Sequence, residues 1–205
     1  LLRDQKIKVQ KGIYEYDPTV LQLGDDVYLE GFWQNRKYFK NIEGVLRKDF
    51  IFKKPLVGKN REYARLITSQ NSISLHVRRT DYVKSSIVKN TIGVLDLSYY
   101  QRAITYTRRK ISSPIYFIFS DDVKWCRSNL DTGAQQYFLD HNQGKSDFED
   151  MRLMSLCKHN IIANSSFSWW GAWRNNNRRK SVVTPRIWAR DKESSNLVLP
   201  QWTSL

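Results

Sequence analysis

The sequence predicts a doubly wound α/β fold, and three observations predict it. Beyond residue 60, short apolar strands alternate with amphipathic helical stretches at least four times. The run PIYFIF at 114–119 is continuously apolar, as in strands buried on both faces of a parallel sheet. Polar or small residues stand just past each strand, where open α/β sheets take their ligands.

The first sixty residues read as a mixed segment. Asp26 to Phe32 (DVYLEGF) is strand-like between Gly24 and Gly31. Asn35 to Phe50 has Tyr38, Phe39, Ile42 and Val45 or Leu46 recurring at three and four, which predicts a helix. Lys53 to Asn60 (KKPLVGKN) sets Pro55 and Gly58 among basic residues and reads as a linker. It divides an N-terminal domain tail, 1–60, from a second domain, 61–205. In the second domain Ser72 to Val77 is a short strand. Ser98 opens a helix to about Lys110, with Tyr99, Ala103, Ile104 and Thr107 on one face. Pro114 to Phe119 is the buried strand, and a helix follows Ser120-Asp121-Asp122 to about Leu130. Gln136 to Leu139 is a strand. Ser146 and Glu149 have capping-box spacing at the head of a helix whose Phe148, Met151, Met154 and Cys157 share a stripe. Asn160 to Ala163 is a strand, Ser166 to Asn175 a helix, and Ser181 to Thr184 a last strand.

Composition limits what such a fold can serve. The chain has 205 residues, with 34 Lys and Arg against 20 Asp and Glu, for a net charge of +14. That excess points to an anionic partner: nucleic acid, an acidic membrane surface or a phosphorylated small molecule. No apolar run approaches the roughly eighteen residues of a membrane span. Two cysteines, Cys126 and Cys157, are too few for a disulfide framework, and no His/Cys cluster has zinc spacing. The opening LLRDQKIKVQ has neither an initiator Met nor the layout of a signal peptide, so missing upstream sequence is expected.

Chemistry is then confined to three strand ends. At the first, His76-Val77-Arg78-Arg79-Thr80-Asp81, two adjacent guanidiniums can grip a phosphate bidentately, and His76 can offer a ring nitrogen to a base or sugar hydroxyl. Asp81 can orient an arginine or accept a proton. At the second, Asp121 and Asp122 can hold nucleobase NH groups or ribose hydroxyls, or cap the helix that follows. At the third, Asn164 to Trp173 (NSSFSWWGAW) leads small hydroxyl residues into a helix, an arrangement that binds anions through free backbone NH groups. The pattern is not a Walker loop. Its tryptophans read equally well as core packing or as a substrate wall. Together the three ends suit a nucleotide diphosphate. SDD is a weak metal motif, and arginine can replace a metal in stabilising a diphosphate leaving group.

At these residues the sequence resembles the α-1,2-fucosyltransferase family, glycosyltransferase family 11. The similarity lies in HVRRTDY at 76–82, FSDD at 119–122 and DFEDMRLMSLCKHNIIANSSFSWWGAW at 147–173. LEGFWQNRKYF at 29–39, PRIWAR and the closing LPQWTSL also resemble that family's pattern, and HxRR-x-D is shared with other fucosyltransferases. The resemblance implies a GT-B-type enzyme whose Rossmann-like half, 61–205, holds GDP-fucose, with the remnant of an acceptor-side domain before it. It implies no cofactor and no metal. Arg78 becomes the pyrophosphate clamp and Arg79 its neighbour or support. His76 and Asp121 or Asp122 read guanine or ribose, and Ser165, Ser166, Phe167 and Ser168 supply donors to the phosphates. The implied activity is inverting: the 2-OH of a galactoside displaces GDP. Asp81 is the candidate base, with Asp150 and Glu149 in reserve. The family's glycine-rich GGLGNQ-type loop does not occur here, so the acceptor side is expected to lie outside this chain, and the chain alone to be inactive.

Two other classes compete. A basic nucleic-acid-binding module would use Arg174, Arg178, Arg179 and Lys180, but leaves the strand-end motifs unexplained, so nucleic acid is not expected as a partner. A non-catalytic GDP-sugar- or glycan-binding relative is the other. The one Asn-x-Ser/Thr sequon, Asn164-Ser165-Ser166, falls inside the phosphate-binding turn, where a glycan would block it. With two reduced cysteines, that fits a bacterial cytoplasmic enzyme acting at the inner face of a membrane on a galactose-containing glycan, lipid-linked glycans included, with a Golgi-type form as the alternative. The charge in Lys6 to Lys11 and Arg174 to Lys180 fits peripheral attraction to an anionic membrane or acidic glycan.

Overall fold

Residues 6–12, 14–190, 192–193 and 197–205 are described by the structure, a computed structural model. The chain divides into two compact units, residues 1–51 with 195–198, and residues 52–194 with 199–205. Among the described residues no helix is long and apolar enough to cross a membrane.

In the first unit, β1 (Lys6–Val9) pairs in parallel with β2 (Val27–Glu30). The Gln10 side chain fastens the turn after β2 by accepting from the Phe32 and Trp33 amides at 2.8 and 2.9 Å. The helix expected over 35–50 is instead two tight 3-10 turns, Arg36–Tyr38 and Lys40–Ile42, followed by α1 (Glu43–Asp49). Asn35 explains the difference. Its carboxamide accepts from the Lys37 amide at 3.0 Å, which fixes a capped tight turn rather than a helical entry. The apolar period survives only as contacts: Tyr38 packs on Tyr16 and Trp33, while Ile42 and Val45 are exposed.

The second unit is built on β3 (Ser72–Val77), whose six residues are all buried. β4 (Ile115–Ser120), β5 (Gln136–Leu139), β6 (His159–Ile161), β7 (Val182–Thr184) and β10 (Thr203–Ser204) join it in one parallel sheet, ordered β10-β7-β6-β3-β4-β5. A short antiparallel pair, β8 (Ile187–Ala189) with β9 (Lys192–Glu193), stands apart from the sheet. Counted within the sheet, the order is 3-2-1-4-5-6, that of the dinucleotide-binding fold. The expected α/β class is therefore observed.

Period-two alternation assigns the strands' faces. Ile73, Leu75, Val77, Tyr116 and Ile118 pack with Tyr100, Ala103 and Ile104 of α5 (Leu97–Lys110) and Cys126 of α6 (Val123–Asn129). Phe117, Phe119 and Leu139 face the other way, onto Ile67 of α2 (Gly58–Ser69) and Leu153 and Met154 of α7 (Asp147–Leu156). Both faces are covered, as a parallel sheet requires. α2 was not legible as a helix because its first residues belong to the Pro/Gly-marked segment read as linker. Its apolar positions Tyr63, Ala64 and Ile67 do carry helical spacing.

Three details differ from expectation. Asp96, not Ser98, caps α5, accepting from the Tyr99 amide at 3.0 Å. The capping box at α7 does not form. Ser146 closes a 3-10 turn with φ −103° and ψ 0°, so its hydroxyl makes no cap bond, and Glu149 lies 3.5 Å from Arg152 instead. Within the expected α7 stripe, Met154 and Cys157 are buried but Phe148 is exposed. Two of the three tryptophans of α8 (Ser166–Arg174) are core: Trp169 and Trp173 are buried and stack with each other, Trp202 packs on Trp169, and Trp170 is half-buried. Gly171 lets α8 approach α7, because a Cβ there would lie 3.1 Å from Met154 Cβ. Lys180 Nζ donates to the Ala172 carbonyl at 2.9 Å, and the Arg174 guanidinium sits 4.6 Å over the Phe52 ring. Two cations of the basic 174–180 stretch are thus engaged in packing the unit.

A buried polar knot joins β6 to its neighbours. Asn160 Nδ2 donates to Ser74 Oγ at 2.7 Å and to the Met154 carbonyl at 2.9 Å, and its Oδ1 accepts from Asn175 at 2.8 Å. Replacing Asn160 with Ala leaves those partners buried and unsatisfied. Urea unfolding of Asn160→Ala should show a loss of about 2–4 kcal/mol.

Candidate functional site

The strand order reverses direction between β3 and β6, and the crevice outside their carboxyl ends is where such sheets bind ligands. A cleft of about 780 Å³ opens there. His76, Arg78, Asp121, Asp122 and Phe167, all singled out in the sequence, line it, together with Asp147 and Asp150 of α7.

His76 is the last residue but one of β3, on the face opposite Ile73, Leu75 and Val77. It is only 4% exposed, and its ring lies 5.6 Å from that of Phe167. Its Nδ1 has no hydrogen-bond partner among the described residues. Burial, with the Arg78 charge second, pushes its pKa down to about 3, so the imidazole is neutral. Arg78 lies one-third exposed at the cleft, with Nε 2.9 Å from Asp81 Oδ1 and 3.5 Å from Asp121 Oδ2.

Asp121 binds more than Arg78. Its two carboxylate oxygens accept from the Arg79 and Thr80 amides, each at 2.9 Å, at the head of α3 (Thr80–Lys84). The Thr80 hydroxyl returns a bond to the Asp121 carbonyl at 3.0 Å. Asp122 caps α6 by accepting from the Trp125 amide at 3.1 Å. Both aspartates thus serve as caps while lining the cleft. Arg79 does not line it: its guanidinium lies 3.9 Å over the Trp125 ring, with Nε 3.7 Å from Asp122.

Asp81 also stands outside the lining residues, half-exposed and paired with Arg78. Desolvation raises its pKa, but the hydrogen bond and charge of Arg78 outweigh that and hold it below the usual carboxylate range. Glu149 faces Arg152 and is not among the lining residues. Of the three candidate bases, Asp150 is the one that lines the cleft. One oxygen accepts from Asn142 Nδ2 at 2.7 Å, and burial, assisted by the Asp147 charge and opposed by that bond, raises its pKa to about 7. Asn142 is in turn fixed by Asn60 of α2, at 2.8 and 2.9 Å.

Of the third motif, Phe167 forms the cleft wall. Ser165 is the N-cap residue of α8, Ser166 is exposed, and the buried Ser168 hydroxyl donates to the Ser165 carbonyl at 3.2 Å. The helix's first-turn amides have no intrahelical acceptors. Asn142 and Asn60 had no signal in the sequence, because nothing local marks a polar pair 82 residues apart.

The model of glycosyl transferase family 11 matches residues 12–205. The chain belongs to that family. The Escherichia coli O-antigen biosynthesis glycosyltransferase WbnK is 33% identical over 208 residues, covering 100% of this chain and 64% of that protein. An Escherichia coli α-1,2-colitosyltransferase is 35% identical over 165 residues, covering 80% of this chain and 56% of the other. The human galactoside α-(1,2)-fucosyltransferase 1 is 26% identical over 159 residues, covering 71% and 42%. The chain thus spans between 42% and 64% of the length of these three relatives. The family 11 match includes every residue of the cleft.

The two shifted groups act oppositely on stability. Neutral His76 contributes stability above the unfolded histidine value of 6.5, lost as pH falls toward 3. Protonated Asp150 contributes stability below 3.8, lost as pH rises toward 7. Between about pH 4 and 6.5 the two slopes oppose each other. Asp150→Asn removes the falling one, so unfolding free energy should rise more steeply with pH across that window than in the parent. An unchanged slope would contradict a protonated, buried Asp150.

Proposed function

We propose that this chain carries the donor half of an inverting glycosyltransferase moving L-fucose from GDP-fucose to the 2-OH of a galactoside. Most of the acceptor side of a GT-B-type enzyme would lie outside this chain. The observation that carries the reading is the cleft itself. It sets a guanidinium, a buried neutral imidazole and an aromatic wall from the first turn of α8 at the switch point of a parallel sheet. Arg78 grips the diphosphate and, with the first-turn amides of α8, neutralises charge on the departing GDP, so no metal is required for that step. The serines at 165, 166 and 168 contribute through the backbone they shape.

Guanine needs a partner for its N1–H and N2–H donors. Asp121 and Asp122 are spent on backbone amides, Asp140 faces Arg127 and Asp147 is exposed, so Asp150, in its ionised form, is the carboxylate we assign to the base edge. His76 faces the ribose or base through its ring. Asp81 orients Arg78, since a carboxylate paired at 2.9 Å is a poor base. The base that takes the acceptor proton is then assigned to the portion of the enzyme beyond these residues. A second reading keeps this site and changes the sugar to colitose, the 3-deoxy analogue of fucose. The 35% identity to the colitosyltransferase favours it.

Calorimetric titration with GDP tests the site. Arg78→Ala should weaken binding by about 2–4 kcal/mol. Failure of the folded parent to bind GDP, or an unchanged affinity in the variant, would sink the assignment. Asp150→Ala should erase most of the preference for GDP over ADP, a change of about tenfold or more. Competition of GDP-fucose against GDP-colitose then separates the two sugars.

A further inference from the structure

The carboxylate assigned to the base edge has a polar support behind it, built from two other elements. Asp150 Oδ1 accepts from Asn142 Nδ2 at 2.7 Å. The same Nδ2 donates its other hydrogen to Asn60 Oδ1 at 2.9 Å, and Asn60 Nδ2 returns a bond to Asn142 Oδ1 at 2.8 Å. The two carboxamides thus form a closed pair between α2 and the segment after β5. His141 joins it from the same segment. Its ring stacks on Tyr63 of α2, with centroids 5.3 Å apart, and its Nε2 lies 2.8 Å from Asn60 Oδ1.

Hydrogen-bond polarity runs one way through this group. Asn60 Oδ1 is a carbonyl oxygen and can only accept, so His141 Nε2 carries the proton and donates it. Reversing Asn142 alone would set its carbonyl oxygen against both Asn60 Oδ1 and the Asp150 carboxylate, and its amide against Asn60 Nδ2. Asn142 is therefore held with a donor aimed at Asp150. A donor in that place favours the ionised carboxylate.

Asp150 needs such a contact. Burial favours its neutral form, the Asn142 bond opposes that, and the Asp147 charge on the same helix adds to the effect of burial. The other charged or titratable groups that share the cleft come from three strand ends: His76 and Arg78 at β3, Asp121, Asp122, Lys124 and Arg127 at β4, and Asp140, paired with Arg127, at β5. On the α2 side His141 is kept below its ordinary value by burial and by Lys59, and α8 brings only the uncharged Phe167 to the cleft.

The protonation state of a carboxyl decides which base edge it fits. An ionised one accepts twice, which matches the N1–H and N2–H donors of guanine. A protonated one donates as well as accepts, which matches the N1 acceptor and N6–H donor of adenine. Building on the GDP assignment above, we infer that Asn142 is a positioning residue for nucleotide choice: clamped by Asn60 and His141, it keeps Asp150 an acceptor and so favours guanine over adenine.

The test measures GDP and ADP affinities of the whole chain by calorimetry, between about pH 6 and about pH 8.5, in the parent, Asn142→Leu and the double variant Asn142→Leu/Asn60→Leu. Their ratio cancels the titration of the diphosphate, which both nucleotides share. The parent's preference for GDP should rise with pH through about 7, as Asp150 gives up its proton. In Asn142→Leu the preference near neutral pH should fall by about tenfold, and the rise should move to higher pH, so that the preference returns toward the parent's at the alkaline end. The double variant replaces both carboxamides by apolar groups of similar size, and should show the same displacement where the single variant is too unstable to titrate. A loss of equal size at every pH marks Asn142 as structural only and overturns the proposal, as does an unchanged preference. Asp150→Ala, titrated alongside, separates the two assignments. If it loses the preference while the Asn142 variants keep it, the positioning role alone is wrong. If it keeps the preference, or the parent does not bind GDP, the assignment of the base edge falls and the positioning role with it.

Discussion

The Asp121 carboxylate is the constraint on which the donor site depends. Two strand ends that come from different βα units must be held at one spacing if an arginine on one is to face a cleft walled by the other. Asp121 does this with both oxygens on the backbone of the next chain segment, at 2.9 Å each. Charge-assisted bonds to amides at a helix head are among the stronger local contacts a carboxylate can make. Arg78 gains its place from the same group, 3.5 Å away, and from Asp81. The acidic pair after β4 is therefore the frame of the site, and the cations after β3 are what it frames. Arg79 illustrates the division. Lying over Trp125 and beside Asp122, it stiffens the corner from behind while its neighbour faces the ligand.

The fold was legible wherever a single element announced itself. PIYFIF reads as a buried strand because both of its faces are apolar, and the structure places Phe117 and Phe119 on one face with Tyr116 and Ile118 on the other. α5 reads from its stripe, and the parallel sheet follows from alternation. What failed was local chemistry with two outcomes. Ser146 and Glu149 have the right spacing for a box, but a tight turn ahead of α7 removes the extended conformation that the motif needs. Over 35–50, the periodicity is helical but Asn35 fixes a different start.

The site was legible as a set of positions and less so as a set of roles. His76, Arg78 and Phe167 converge as the strand-end logic requires. The sequence gives no means of telling which aspartates are consumed by backbone amides. That depends on the register between β3 and β4, where Val77 lies opposite Ser120. Asp150 ranked low for the same reason: its burial and its bond to Asn142 are products of α2, α7 and the segment after β5 meeting. The +14 charge divides similarly. Lys180 and Arg174 pack the unit from within, whereas Arg78 lines the cleft.

Gly171 has a mechanical consequence. Because α8 touches α7 so closely that even a methyl group there would crowd Met154, the two helices form one stiff plate. Phe167 rides on one member of that plate and Asp150 on the other. The wall bearing the aromatic ring and the wall bearing the buried carboxyl must therefore travel together. Any tightening of the donor cleft around a nucleotide is left to the opposite lip, the corners after β3 and β4. There α3 and α6 start directly off the strand ends and are tied together through Asp121, so that lip too moves as one body.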